Sequence, residues 1–155
     1  MTFKSKVFAG LSSLWAIFIF SNSIKPGDLS EDMSSPIVKT ICGWFSDLGM
    51  QLNLDVTTLV VRKTAHFTEF FILGLLISIC FSSLQKRMSQ YTGTILFLCL
   101  FSGVVDEFIQ SFVVGRSADV RDVVIDFAGG LLAFIIVAIV TKVKAKKQYK
   151  KRRFR

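Results

Sequence analysis

Apolar and polar residues follow one another along this chain in long blocks, without the short alternation that marks strands. Four blocks, at about 7–24, 62–83, 91–113 and 121–141, are apolar over enough length to cross a hydrocarbon core of about 30 Å, which takes roughly 20 helical residues. The pattern predicts an all-α integral membrane four-helix bundle, a single domain over 1–155 with a basic tail at 142–155. Between the first two spans, Ser35 and Pro36 predict a helix start. Ile37, Ile41, Trp44, Leu48 and Leu52 then recur at spacings of three or four. This is an amphipathic helix in the first outer loop, lying on the membrane surface or covering the mouth of the bundle. Asp55, Thr57 or Thr58 is expected to cap the second span.

Composition agrees with a membrane protein: 155 residues that are 52% hydrophobic and only 19% charged are too apolar for a soluble domain of this size. The net charge of +8 brings nucleic acid to mind, but its distribution argues against that partner. Thirteen of the nineteen basic residues precede the first span (Lys4, Lys6), separate the second from the third (Lys86, Arg87) or follow Thr141, and none of the eleven acidic residues lies there. This is the positive-inside pattern. Both termini are expected in the cytoplasm, with the first span kept as an anchor, the lipid bilayer as partner and the tail against anionic lipid. Cys42, Cys80 and Cys99 fall at different depths, so no disulfide is expected.

Embedded charge changes the picture further, because such residues are costly in hydrocarbon and mark functional sites by default. Only the first span lacks it. Arg62, His66 and Glu69 share one face of the second span, with Lys63 three residues before His66. Asp106 and Gln110 share a face of the third, while Glu107 is turned by about 100° toward a different neighbour. Arg116 follows in a short outer turn, then Asp119, Asp122 and Asp126 on one face of the fourth span, with Arg121 between them. Gly129 and Gly130 permit close helix approach. Every one of these charges is placed in the outer layer of the bundle, so the two polar groups are expected to meet there.

The stretches RKTAHFTEFFILG and DEFIQSFVVGRSADVRDVVIDFAGG resemble the VanZ-like family of small bacterial membrane proteins, through the DExxQ, GR and DxxxDxxG elements at their spacing. The resemblance implies a four-helix protein of the bacterial inner membrane, from a family whose founding member is associated with low-level resistance to the glycopeptide teicoplanin. Carried over by position, the motif residues are His66, Glu69, Asp106, Glu107, Gln110, Gly115, Arg116, Asp122 and Asp126. Val114 stands where relatives often have Pro, and Asp126 where many have Asn.

Three functions compete for this cluster. In the first, an outward-facing site binds or modifies an envelope lipid or glycopeptide, with Arg62, Lys63, Gln110, Arg116, Asp119 and Asp126 as ligand contacts and Arg gripping phosphate or carboxylate in bidentate fashion. In the second, His66, Glu69, Asp106, Glu107 and Asp122 supply acid/base groups for a hydrolase or transferase acting on a lipid-linked phosphate, alone or around a divalent cation. The third is a proton or cation relay, disfavoured because the inner halves of the spans offer only Ser, Thr and Cys. Against all three stands a closed network of charges that only ties the helices together.

Overall fold

The computed structural model describes residues 2–84 and 87–153. They form helices α1 (Phe3–Ser23), α2 (Gly27–Asp47), α3 (Leu54–Ser82), α4 (Thr92–Gln110) and α5 (Val120–Arg153), with a 3-10 turn at Met88–Tyr91. No strand occurs among the described residues. α1, α3, α4 with its leading turn, and α5 are long and apolar enough to cross a membrane. The bundle is therefore an all-α membrane fold. Lys86 lies outside the described residues, as does the end of the tail; the rest of the tail continues α5 as helix through Arg153.

α3 is the hub, packed against α1, α2 and α4, with its longest seam along α5. The seam is close because it is lined with glycine. A Cβ added at Gly129 would strike the Phe67 carbonyl and stand 3.0 Å from the Phe71 nitrogen, and one at Gly74 would stand 2.7 Å from the Gly130 Cα. Gly130, one position round the helix, faces α4, where a Cβ would stand 2.8 Å from the Cys99 Cβ. Ile19, Phe70, Leu73, Ile77, Ile95 and Cys99 fill the core between the helices. Leu14, Ile17, Phe18, Phe97, Phe101, Phe108, Ile135 and Ile139 are exposed around its circumference. In water such a surface would be an aggregation hazard; in a bilayer it faces hydrocarbon. Several hydroxyls within the spans fold back on their own helices, as Ser12 does to the Phe8 carbonyl (2.7 Å), Thr68 to Thr64 (2.7 Å) and Ser102 to Leu98 (2.8 Å), which satisfies them without water.

Two helix starts differ from expectation. α2 begins at Gly27, well before Ser35, and carries Pro36 in its interior. Its start is set by a distant contact: the Gly27 N–H donates to the Val114 carbonyl (3.1 Å) in the α4–α5 turn. α2 ends before Leu52, in a Schellman arrangement in which Gly49 takes φ 78°, its N–H bonds the Ser46 carbonyl and the Met50 N–H bonds that of Phe45. α3 is capped by Asn53, whose side chain accepts from the Asp55 (2.9 Å) and Val56 (3.2 Å) N–H groups. Asp55 thus sits inside the first turn, and the Thr57 and Thr58 hydroxyls bond back to the Asn53 and Leu54 carbonyls.

The far end of the amphipathic stripe points away from the bundle: Trp44 and, just past the end of α2, Leu48 are exposed, and Val38 is buried on the other side. An apolar face presented outward at the end of a membrane bundle suits the lipid interface. Ser30, Met33, Ser34 and Ile37 also wall a cavity over α3. The helix therefore covers one mouth of the bundle.

Candidate functional site

At one end of the bundle α1, α3, α4, α5 and the α4–α5 turn converge on Asp106 and Asp126, both completely excluded from solvent. Asp106 accepts a hydrogen bond from the Ser23 hydroxyl and one from the Gln110 amide (2.7 Å). Gln110 lies one turn beyond Asp106 on α4, and its own oxygen accepts from Arg116 (3.1 Å). The His66 Nδ1 stands 3.8 Å from an oxygen of each aspartate. That is too long for a hydrogen bond. Neither this Nδ1 nor either Asp126 oxygen has a hydrogen-bond partner among the described residues.

Arg116 ties the turn to the end of α1. Its Nε donates to the Lys25 carbonyl (3.1 Å) and a terminal nitrogen to that of Asn22 (3.4 Å), which places a cation at a helix C-terminus. Gly115, at φ 75°, supplies the left-handed turn that aims it. Burial, and then the neighbouring Arg62, pull the guanidinium below its ordinary value, while Asp106, Glu107 and Glu69 oppose the shift. A guanidinium remains charged regardless. These three bonds engage three of its five N–H donors among the described residues.

Two cavities flank this core and share Arg62, His66 and Arg116. The larger, about 420 Å³, is mostly polar, lined by Lys63, Gln110, Asp119, Asp122 and Asp126 besides the shared residues. The smaller, about 180 Å³, lies under α2, with Met33, Ile37, Val61 and Ala65 as apolar walls and Asn22, Ser23, Lys25 and Glu69 as polar ones.

The structure brings most of the expected residues together. Lys63 pairs with Asp122 across the α3–α5 seam. Glu69 accepts from the Asn22 amide (3.2 Å). Asp119 serves α5 as a cap, accepting from the Arg121 N–H (2.9 Å). Two residues stand apart. Glu107 turns from both cavities and accepts from the Asp119 N–H (2.9 Å), which steadies the start of α5. Arg121 is exposed and lines neither cavity.

Sequence reasoning missed the contribution of α1, which looked like plain hydrophobic helix. Ser23 holds Asp106, Asn22 holds Glu69 and also accepts from Lys25 (2.9 Å), and the Trp15 indole donates to the Glu69 carbonyl (2.9 Å). Polar residues ending a span at the depth of the charged layer were the available signal.

The VanZ/LLP1 family model matches residues 8–141, which takes in α2, α3 and α4 whole, most of α1 and of α5, and every residue of the two cavities. The uncharacterized protein C11E3.10 of Schizosaccharomyces pombe is 36% identical over 74 residues, 48% of this chain, and the chain spans only 44% of that protein's length. No solved structure matches.

Proposed function

The chain belongs to the VanZ/LLP1 family, and for this member we propose that the shared cavities bind a membrane lipid with an anionic phosphate headgroup. One observation carries the reading: Arg62, His66 and Arg116 line both a mostly polar cavity and a partly apolar one beneath α2. An amphiphile matches that division, with its phosphate toward Arg62, Lys63 and Arg116 and its first apolar carbons under Met33 and Ile37. Arg suits the task because its planar fork grips phosphate oxygens in pairs. The relative in a yeast supports a ligand shared by bacterial and eukaryotic membranes over one confined to the bacterial wall. We place the protein in a bacterial inner membrane with both termini cytoplasmic and the cavities outward, as the distribution of Lys and Arg favours. A contribution to teicoplanin resistance would then follow from altered envelope composition.

Native mass spectrometry of protein extracted gently from its own membrane tests this. The wild type retains a lipid phosphate, and Arg62→Gln and Arg116→Ala each lose it. Lipid spectra identical in wild type and both variants would overturn the binding site. A second reading, a hydrolase or transferase acting on a lipid-linked phosphate, is favoured by the His66–Asp106–Asp126 cluster. Turnover of the retained lipid by wild type, abolished in His66→Ala, separates it from binding alone.

A further inference from the structure

We propose that His66, Asp106 and Asp126 form a binding site for a divalent transition-metal ion such as zinc, at the floor of the larger cavity. One donor atom from each lies within 4.8 Å of the others. The His66 Nδ1 is 3.8 Å from each aspartate, too far to hydrogen-bond. It is near the separation that two ligands adopt around a shared ion, about 3.4 Å for tetrahedral bonds of about 2.1 Å. A contraction of about 0.4 Å would bring each histidine–aspartate pair to that separation.

The independent observation is Asp126. It is completely buried, lies on the cavity wall, and neither of its oxygens has a hydrogen-bond partner among the described residues. A buried polar group in that condition is costly, and a second carboxylate beside it raises the cost through repulsion. A dication cancels the charge of the two carboxylates and gives Asp126 and the unpartnered imidazole nitrogen the contact they lack. The mixed nitrogen and oxygen donors favour a transition metal over magnesium or calcium, which take oxygen ligands. Asp106 already has the outer hydrogen bonds typical of a ligating carboxylate, from Ser23 and from Gln110, the latter held in turn by Arg116. His66 and Asp126 both face the cavity, from which a water or a ligand oxygen would complete the coordination.

The test uses the full chain in nanodiscs, stripped with chelator and titrated with zinc, with bound metal measured by equilibrium dialysis. His66 is the sole histidine of the chain, so an imidazole-labelled sample has one side-chain signal that reports ligation directly. We expect one zinc per chain and a shifted His66 resonance. Asp126→Asn should weaken binding at least 100-fold, Gln110→Ala by about 10- to 100-fold, and Asp47→Asn, at the exposed end of α2, not at all. An absence of stoichiometric zinc, zinc that leaves the imidazole signal unmoved, or full affinity in a folded Asp126→Asn would overturn the site. If that variant does not fold, the wild-type imidazole signal alone decides. Failure here leaves the lipid reading intact, because loss of lipid in the Arg62 and Arg116 variants is read without added metal.

Discussion

Gly129→Ala is the substitution that most directly probes how the bundle sets its site. The new methyl would collide with the Phe67 carbonyl and press to 3.0 Å from the Phe71 nitrogen, both backbone atoms of α3 that cannot swing aside. Relief requires α3 and α5 to separate by roughly 0.5–1 Å, which forfeits about a quarter to a half of each dispersion well across the gap. With about 0.1–0.2 kcal/mol per atom pair and on the order of 40 pairs, as for one buried leucine, the loss is about 2 kcal/mol. That agrees with the ~1–3 kcal/mol typical of overpacking. Helix propensity works the other way, since Ala replaces Gly at a gain of up to ~1 kcal/mol. Gly10→Ala isolates that term, because a Cβ there meets nothing within 4 Å. The predicted quantity is the difference between the two variants, about 2 kcal/mol, or roughly 30-fold in the unfolding constant. Reversible unfolding in mixed micelles measures it. His66 precedes Phe67 and Asp126 lies one turn before Gly129, so the same separation should widen their 3.8 Å approach and weaken zinc binding. Equal stability of the two alanine variants would refute the claim that backbone contact sets the α3–α5 distance.

Three further outcomes follow from the same geometry. Ser23→Ala strips the completely buried Asp106 of a donor and should lower stability by about 1–3 kcal/mol; an unchanged melting temperature would mean that water replaces the hydroxyl. Lys63→Ala breaks an ion pair about one-third exposed on each side, so its effect on unfolding should stay within ~1 kcal/mol, and a larger loss would show that the pair is more deeply desolvated. Gly115→Ala forces a side chain into φ 75° beside Gly27, at a cost of about 1–2 kcal/mol; calorimetry should register it together with weaker lipid retention, since Arg116 is aimed by that turn.

Much of this arrangement was legible in the chain because it depends on local period. Apolar length marked the four spans, and spacings of three and four put Arg62 with His66 and Asp122 with Asp126 on common faces. The glycine pair at Gly129 and Gly130 announced a close approach, though not that Gly129 meets α3 while Gly130 meets both α3 and α4. The start of α2 was misread because Ser35 and Pro36 carry a strong local start signal, while the actual start answers to Val114 in a distant turn. The cap of α3 went to Asn53 over three plausible neighbours, a choice that backbone geometry makes and composition does not.

What the sequence by itself determined was therefore the membrane class, the number of apolar spans and the helix faces that carry the charges, since each follows from the pattern along one helix. Only the tertiary structure decided partners: Ser23 with Asp106, Glu107 with the start of α5, Arg116 with the end of α1, and an unpartnered Asp126 facing His66. The reason is physical. Depth and face are properties of a single helix, whereas a hydrogen-bond partner depends on how far two helices turn toward each other, and here backbone contacts at glycines set that rotation and distance.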